Sequence, residues 1–384
     1  MTYRVVYLGH VARLSGAEIA LARVLPALRG RVEAHVILGE DGPLVNRLRK
    51  DHISVEVIPL PEAAREVRKD SVRPGAIGWH SQAASAQYVW KLRDRLREMQ
   101  PDLVHTNSLK SAIYGGVAGR LARIPVIWHI RDRIAPDYLP LAAVRSVRAA
   151  SRILPTAVIA NSRCTLDTLP NFSKGFVIPD SVGHNVVEDA ASPLGSTPRP
   201  YRVGIVGRLT PWKGQHFFLD AFSRAFPGDD TEAWIVGSAM FGEDDYTASL
   251  HAHAERLGLS DRVSFRGFRD DVWNELAQFD TLVHCSLSPE PFGQVVVEGM
   301  TAGIPVIAAD AGGPAEIITN NVDGILTPPG DTAALASAMR TLREDLSLRT
   351  SLMKEGLLTA AHYTPERTAS EIMTVYKDVI DRRR

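Results

Sequence analysis

The chain has 384 residues, 45% apolar and 23% charged, which is ordinary for a soluble globular protein but longer than one hydrophobic core usually supports, so we expect two domains. Lys and Arg outnumber Asp and Glu by 26 to 16 in residues 1–185, whereas residues 186–384 carry 18 against 28. The basic half could attract an anionic partner or membrane surface, or the opposite charges could help the two domains approach each other.

The two cysteines, Cys164 and Cys285, do not form a Cys-x-x-Cys pair. This argues against both a disulfide framework and a structural zinc site, so we predict two buried, reduced thiols. The apolar run near the N-terminus is too short for the core of a signal peptide, and no segment approaches the length of a membrane-spanning helix. We therefore expect a cytoplasmic protein.

Short runs rich in β-branched and apolar residues alternate with helical stretches along the first half of the chain. This alternation is typical of repeated βαβ units and predicts a parallel sheet. The predicted strands are YRVVYL (3–8), AHVIL (34–38), VEVIPL (55–60), DLVHT (102–106), PVIWHI (125–130) and AVIAN (157–161).

A second series of strands follows ASPLGSTPRP (191–200), whose prolines, glycine and hydroxyl residues are typical of a linker. We predict an N-terminal Rossmann-like domain over 1–185, a linker over 186–200 and a C-terminal Rossmann-like domain over 201–365. Two such domains are expected to meet across a cleft at the edges of their sheets. The strands of the second series are VGIVG (203–207), AWIVG (233–237), RVSFRG (262–267), TLVHC (281–285) and PVIAA (305–309).

Both predicted domains begin with similar sequences, YRVVYLGHVARLSG (3–16) and YRVGIVGRLTPWKG (201–214). Each is typical of a first strand that enters a glycine-flanked turn, where glycine permits positive φ and lets backbone N–H groups approach a ligand. The alternative is that any two doubly wound domains begin alike. Neither turn has the Gly-x-Gly-x-x-Gly spacing of a dinucleotide site, which argues against a nicotinamide-dependent oxidoreductase.

Two glutamates lie in an apolar and glycine-rich stretch of the second domain. Glu290 follows a predicted strand, in the loop PEPFG, and Glu298 lies on the predicted helix QVVVEGMTA (294–302). An ionised carboxylate without a partner is costly to bury, and that helix offers no Lys or Arg to pair with Glu298. A ligand with hydroxyl groups, such as a ribose diol, would satisfy it; the alternative is an acid that reaches solvent or a distant Arg.

Arg208 and Lys213 supply the complementary charge in the turn GRLTPWKG (207–214). Two cations at the end of a strand suit a diphosphate, because Arg can bind phosphate oxygens bidentately while Lys acts as a mobile point charge. The segment AGGPAE (311–316) is typical of a loop that enters a helix with Pro at its first position, so its N–H groups could face an anion or could simply begin a helix.

In the first domain, His129, Arg131 and Asp132 come at the end of the apolar strand PVIWHI. A lone His at such a position is more often a satisfied core residue than a catalyst. Both interpretations stay open on these residues alone.

The chain resembles the retaining GT-B glycosyltransferases of family 4 over nearly its whole length. The resemblance is specific because of the order and spacing of its segments in a chain of two Rossmann-like domains. These segments are the pair Glu290 and Glu298, the turn GRLTPWKG, the segment AGGPAEII (311–318) and the loop SGAE (15–18).

The resemblance implies an α/β fold of GT-B type, with two Rossmann-like domains facing each other across a cleft. Glu298 would bind the ribose of a nucleotide-sugar donor. Glu290, with the backbone of Phe292, Gly293 and Gln294, would hold hydroxyls of the transferred sugar.

Further residues acquire roles in the same way. Arg208 and Lys213 would bind the diphosphate, and Gly16 would close over it, although many members have a second glycine where this chain has Ser15. His129 matches a histidine near the donor sugar and the reaction centre, so the catalytic set would be His129, Glu290, Arg208 and Lys213. The segment RGFRD (266–270), with Arg266, Phe268 and Arg269, would lie near the base of the nucleotide. Arg131 and Asp132 would lie on the acceptor side. The last helix (366–384) would pack on the N-terminal domain.

The implied reaction is a retaining hexosyl transfer, with a UDP-sugar as the first candidate donor and a GDP-sugar as the second. It would need neither cofactor nor metal, because Arg208 and Lys213 would stabilise the leaving diphosphate. Retention is commonly explained by attack on the same face of the sugar, in which the departing phosphate oxygen takes the acceptor's proton. Glu290 would then orient the sugar rather than act as a general base.

Acceptor recognition is expected in the N-terminal domain. Seven arginines fall within 33 residues there, interleaved with LPLAAV (139–144). Such a surface could contact a membrane with a lipid-linked acceptor, bind a phosphorylated acceptor, or form a solvated helix face. Arg outnumbers Lys by 36 to 8, which is consistent with a high-GC bacterial source, where natural-product, glycolipid, polysaccharide and small-molecule acceptors all occur.

Two alternatives stay open. A GT-B-like sugar-nucleotide epimerase would share fold and donor but would form product without an acceptor. A nucleotide- or membrane-binding protein without catalysis would bind the donor and release nothing. A nucleic-acid partner is not expected, since the basic half shows no basic motif interleaved with aromatic residues.

Overall fold

The computed structural model describes residues 2–61, 79–170, 174–183, 199–239 and 243–382. The chain divides into two compact units: unit 1 comprises Met1–Ser181 and Pro365–Arg384, and unit 2 comprises Val182–Thr364. Most of the predicted linker 186–200 lies outside the described residues.

Unit 1 is built on a seven-stranded parallel sheet with the strand order β3-β2-β1-β4-β5-β6-β7. Successive residues of β1 alternate between two apolar clusters, Val5 and Tyr7 on one face and Val6 and Leu8 on the other. Both faces are therefore covered, as parallel sheets require. The strands are β1 Tyr3–Gly9, β2 Val32–Leu38, β3 Ser54–Val57, β4 Leu103–Thr106, β5 Val126–Ile130, β6 Ala157–Ala160 and β7 Gly175–Val177.

Helices connect these strands, and the last helix of the chain packs into the same unit. Its residues Ala369, Ile372, Val375 and Tyr376 belong to the apolar cluster that contains Val5 and Tyr7. The described α-helices of unit 1 are Gly16–Val24, Pro43–Lys50, Trp79–Met99, Leu109–Ala122, Leu141–Ser151, Arg163–Leu166 and Pro365–Asp381.

Unit 2 repeats this architecture with a six-stranded parallel sheet in the order β10-β9-β8-β11-β12-β13. Its strands are β8 Arg202–Val206, β9 Glu232–Val236, β10 Val263–Gly267, β11 Thr281–His284, β12 Val306–Ala309 and β13 Ile325–Thr327. Its described α-helices are Gln215–Ala225, Asp244–Arg256, Trp273–Leu276, Gln294–Thr301, Gly313–Ile317, Thr332–Glu344 and Leu346–Ala360.

Neighbouring strands bring the predicted site loops together in each unit. In unit 2, β8 pairs with β11 in a register that places Ile205 opposite Val283. The loops after these two strands, which carry Lys213 and Glu290, therefore leave the same edge of the sheet. In unit 1, β4 and β5 pair with Thr106 opposite Trp128, so the strand ends at His105 and His129 are neighbours.

Several sequence expectations need correction. The segment SGAE is not a loop: Ser15 is extended and precedes a helix that begins at Gly16, with Glu18 in its first turn. Pro314 is the second residue of the helix Gly313–Ile317 rather than the first. Cys285 is a buried free thiol as expected, but Cys164 is partly exposed, since it lies in the single-turn helix Arg163–Leu166.

No helix among the described residues is long and apolar enough to cross a membrane.

Candidate active site

The turn after β8 is held tightly against the turn after β11. Gly214 has φ +76°, and a Cβ atom there would lie 2.3 Å from the carbonyl oxygen of Cys285. The backbone N–H of Leu287 donates to the carbonyl of Trp212 at 2.8 Å. A single 3₁₀ turn, Pro211–Lys213, thereby fixes where the Lys213 side chain starts.

Glycines also allow the loop of Glu290 to contact the segment AGGPAE. Gly312 has φ +68°, and a Cβ atom there would lie 2.3 Å from the carbonyl oxygen of Glu290. The next residue, Gly313, donates its N–H to that same carbonyl at 2.8 Å. Gly293 has φ +96° at the start of the helix Gln294–Thr301. Side chains at Gly312 or Gly293 would therefore push these loops apart.

Glu290 is the centre of a four-residue polar cluster. Lys213 Nζ lies 2.6 Å from Glu290 Oε1, and the side chains of Lys213 and Glu290 are 15% and 14% exposed. His284 Nε2 donates to Glu290 Oε2 at 2.5 Å, and Ser286 Oγ donates to the same oxygen at 3.0 Å. The structure thus brings together two residues predicted from sequence, Lys213 and Glu290, and adds two that were not.

The cluster keeps Glu290 ionised. Burial alone would raise the pKa of this carboxyl, but the charge of Lys213 and the interaction with His284 outweigh burial. The pKa of Glu290 therefore lies well below its usual range. A carboxylate that stays charged and is held from two sides is suited to orient a ligand, not to accept a proton in catalysis.

Arg208, the second predicted cation, is held by a different acid. Its Nε atom lies 3.5 Å from Glu243 Oε2, and its side chain is 31% exposed. Glu243 also accepts a hydrogen bond from Thr210 Oγ1 at 2.6 Å. Both cations of the turn are therefore fixed by carboxylates from outside it, with enough exposure at Arg208 to meet a ligand.

The remaining residues predicted to bind the nucleotide-sugar donor lie on or near one helix. Glu298 is buried within Gln294–Thr301, with 8% exposure, among Val295, Val296 and Val297. Phe292 is buried, and its ring centroid lies 5.8 Å from that of Tyr363.

The residues predicted near the base behave differently from one another. Arg266 donates to both oxygens of Glu275, at 3.0 and 3.3 Å, and Arg269 donates to Oε1 of the same acid at 2.9 Å. Glu275 is buried, and the Arg266 guanidinium lies 4.3 Å from the ring centroid of Trp234. Phe268 is half exposed. The two arginines thus stabilise a local structure, while Phe268 offers a free aromatic ring.

In unit 1, Gly16 lies between two residues that interact with each other. Ser15 Oγ forms a short hydrogen bond to Glu18 Oε2. Glu18 is 2% exposed, and burial raises its pKa to about 7 despite this bond and the charge of Arg131. Sequence reasoning singled out the segment but not Glu18, although an acid in the first turn of an otherwise apolar helix was a visible signal.

His129 ends a chain of four buried rings. His129 Nδ1 lies 3.0 Å from His105 Nε2, and His105 Nδ1 lies 2.7 Å from the hydroxyl of Tyr376. The Tyr376 hydroxyl donates to that of Tyr7 at 2.9 Å. His105 was present in the predicted strand DLVHT without being singled out; a polar residue in an apolar strand was the signal.

Arg131 and Asp132 follow His129 and point to separate partners. Arg131 donates through Nε to Asp180 Oδ1 at 2.7 Å and through Nη1 to Asn107, and its side chain is only 6% exposed. Asp132 accepts a hydrogen bond from the Tyr138 hydroxyl at 2.8 Å. Arg131 therefore acts as a buried structural charge beside His129.

Comparison with known proteins identifies the family. Residues 187–358 match the model described as glycosyl transferases group 1, and residues 15–173 match the glycosyl transferase 4-like domain. A crystal structure of HepE from Anabaena in complex with UDP is 30% identical with a TM-score of 0.83, covering 98% of this chain and 100% of that one. Its complex with UDP-glucose is 29% identical with a TM-score of 0.80, covering 99% of both chains.

A full-length sequence relative agrees. The lipopolysaccharide core biosynthesis glycosyltransferase LpsD of Rhizobium meliloti (strain 1021) is 26% identical over 363 residues, which are 91% of this chain and 97% of the relative. These matches confirm the expected GT-B fold and the resemblance drawn from the motifs. The chain therefore belongs to the group 1 glycosyltransferases, family 4 of the retaining GT-B enzymes, and is a nucleotide-sugar glycosyltransferase.

Proposed function

We propose that this enzyme transfers a hexose from a UDP-sugar to a hydroxyl of a saccharide acceptor, with retention of the anomeric configuration and without a metal ion. The observation that carries the proposal is the contact between Lys213 and Glu290 at 2.6 Å. It puts a cation for phosphate and an acid for sugar hydroxyls side by side, on the loops after β8 and β11.

The donor would bind through opposite charges at these loops. Arg208 and Lys213 would contact the diphosphate, and Glu290, freed from part of its pairing with Lys213, would accept hydrogen bonds from sugar hydroxyls. Glu298 would accept from the ribose. A ribose diol supplies two O–H donors that one carboxylate can accept together.

The nucleotide is proposed from the comparisons. HepE, solved with UDP and with UDP-glucose, covers almost the entire chain, which supports a UDP-sugar with glucose as the first sugar to test. A GDP-sugar is the second candidate and belongs in the same panel.

Catalysis would rest on the two cations. As the bond from the sugar to the phosphate breaks, negative charge grows on the diphosphate, and Arg208 and Lys213 would stabilise it without a divalent ion. Attack on the same face would let the departing phosphate oxygen take the acceptor's proton. Glu290 would only orient the sugar, in keeping with its lowered pKa.

The acceptor is proposed to be a saccharide of a glycolipid, in line with the role that the name of LpsD states for that relative. Unit 1 offers a surface for such a substrate. Leu141, Arg145 and Arg152 are exposed along the helix Leu141–Ser151 and just beyond it, and Ile153 is 63% exposed. Apolar and cationic side chains mixed in this way suit an anionic membrane surface.

The test is turnover with a panel of UDP-, GDP- and ADP-sugars, read as free nucleoside diphosphate, with and without saccharide acceptors. We expect the fastest release from a UDP-sugar, acceptor-dependent release, unchanged rates in EDTA, and a product whose anomeric proton shows the configuration of the donor. A product of inverted configuration, or turnover that needs no acceptor and returns an epimerised donor, would contradict the proposal.

A further inference from the structure

The last helix contributes one member, Tyr376, to the series of hydrogen-bonded rings that ends at His129. Tyr7, His105, His129 and Tyr376 are each at most 1% exposed, and all four lie in unit 1. The far nitrogen, His129 Nε2, is buried and has no hydrogen-bond partner among the residues that the structure describes. A buried polar atom without a partner is costly, so this nitrogen is a candidate contact for a ligand.

Hydrogen-bond directions along the chain determine which ring nitrogen carries a proton. Tyr376 has one hydroxyl proton and donates it to Tyr7. It can therefore only accept at its contact with His105, so His105 Nδ1 must carry a proton. If His105 is neutral, its Nε2 is an acceptor, and the proton in the contact between the two imidazoles belongs to His129 Nδ1.

Burial keeps every member of the chain uncharged. It raises the pKa of Tyr7 and of Tyr376 above the usual value, so both hydroxyls keep their protons. Burial, helped by the charge of Arg131, lowers the pKa of His105 to about 3 and that of His129 well below its usual value. With both imidazoles neutral, a proton on His129 Nδ1 leaves its Nε2 with a lone pair.

We propose that Tyr376, acting through His105, holds His129 in the tautomer with the proton on Nδ1, so that Nε2 accepts a hydrogen bond from a hydroxyl of the sugar substrate. Tyr376 is then a positioning residue: it touches no substrate, yet it decides whether His129 offers a lone pair or an N–H. The sugar hydroxyl as ligand rests on the proposed function; the tautomer itself does not.

The tautomer can be read directly by two-bond ¹H–¹⁵N NMR of the full chain labelled at histidine, with His129→Ala to assign the His129 signals. We expect His129 Nδ1 to be protonated and Nε2 unprotonated between pH 6 and 8. A protonated Nε2 in the unmodified chain would overturn the proposal.

Two single-atom changes should alter the His129 tautomer in different ways. Tyr376→Phe removes the group that accepts from His105, so both His105 and His129 should exchange between tautomers. Tyr7→Phe leaves the Tyr376 hydroxyl free to donate to His105 Nδ1, which forces the His105 proton onto Nε2 and should invert the His129 tautomer. Tyr88→Phe, a buried tyrosine of the same unit that stacks edge-on against Tyr114, is the matched control and should leave the His129 signals unchanged.

Kinetics add a readout that mere loss of packing would not give. Once glycosyl transfer is observed, Tyr376→Phe and Tyr7→Phe should each lower kcat about five- to tenfold, the scale of one misdirected hydrogen bond. In a His129→Ala background the same changes should have no further effect, because they act through His129. Unchanged His129 signals in both tyrosine variants, or effects that simply add to His129→Ala, would contradict the proposal. Signals as expected in a chain that binds no nucleotide sugar would instead refute the proposed function.

Discussion

Lys213 and Glu290 neutralise each other across 2.6 Å, and both charges are proposed to contact the nucleotide sugar. A phosphate that enters the site would compete with Glu290 for Lys213. Each sugar hydroxyl that reaches Glu290 would then replace part of the hydrogen bonding that Lys213 had supplied to this carboxylate. His284 and Ser286 remain as donors to the other carboxylate oxygen. Glu290 would therefore stay in place while its partner shifts, which keeps the sugar-binding side of the site rigid.

Replacing Lys213 by Ala should lower kcat by roughly 10²-fold or more, the scale of losing one charge donor in a transition state. It should also raise the pKa of Glu290, since burial would then act without that cation. Turnover of purified variants is the measurement, with Lys354→Ala, an exposed lysine on the helix Leu346–Ala360, as the matched control. A turnover number for Lys213→Ala equal to that of the control would remove Lys213 from the mechanism.

Glu18 should titrate near pH 7, because burial raises its pKa from about 4.5 to about 7. Between these values the folded state keeps a proton that the unfolded state has released, so stability should fall as the pH rises through this window. Across pH 5 to 8 the loss relative to Glu18→Gln is about 3 kcal/mol at most. Carboxyl ¹³C NMR, assigned with that variant, measures the midpoint; titration near pH 4.5 would contradict the account.

Residues of the site could be predicted from sequence where their signal was local. Glu290, Lys213 and Arg208 stand in loops directly after apolar strands, and that position indicates function. His284 was missed because it lies within a strand, although its partner Glu290 is only six residues away. His105 also lies within a strand, and its partner Tyr376 is 271 residues away. Such pairs become visible only when the strand order and the last helix are known.

At the scale of elements, the turns around the site depend on glycines that tolerate positive φ next to another backbone. Gly214 and Gly228 share a φ of +76°, but a Cβ atom meets Cys285 at 2.3 Å in the first case and nothing within 4 Å in the second. Alanine at Gly228 would therefore incur only the free-energy cost of a left-handed backbone conformation. Alanine at Gly214 would incur that cost and also the clash with the Cys285 carbonyl.

Gly214→Ala should lower UDP affinity about tenfold and destabilise unit 2 beyond the roughly 1–2 kcal/mol that a left-handed non-glycine residue costs. Gly228→Ala should show only that conformational cost, with UDP affinity unchanged. Calorimetric titration and thermal unfolding of both variants give the comparison. Equal losses at the two positions would mean that the Gly214 contact does not shape the site.

The alternation of strands and helices predicted eleven of the thirteen described strands, and their ends lie within three residues of those in the structure. The strands β7 and β13 were not predicted because each has only three residues, too few for a periodic signal. SGAE was mistaken for a loop because its glycine suggested one. In the structure Ser15 is the extended residue at the N-cap position, and the helix begins at Gly16.

For the whole molecule, sequence predicted two parallel sheets, and the structure has them. The place of the last helix was expected only through the family resemblance; in the structure its Tyr376 and Val375 complete the core around Tyr7. No local pattern could supply that contact, because it joins the two ends of the chain.

The basic surface of unit 1 around Arg145 and Arg152 is proposed to contact an anionic membrane. We expect the chain to sediment with anionic liposomes and not with neutral ones, and less so as salt is raised. Arg145→Glu with Arg152→Glu should abolish this binding. The matched control is Arg367→Glu with Arg382→Glu. These exposed arginines lie on the last helix and just after it, and each pairs with an acid of that helix. Equal loss of binding in both double variants would argue against a specific surface.

Unit 2 is proposed to bind a nucleoside diphosphate through Arg208 and Lys213. Calorimetric titration of the full chain with UDP, GDP and ADP tests it most directly, alongside a variant with both Arg208→Ala and Lys213→Ala. We expect heat of binding with UDP that is lost in the double variant and retained in Lys354→Ala. No heat with any of the three nucleotides, or equal UDP affinity in the double variant, would contradict it.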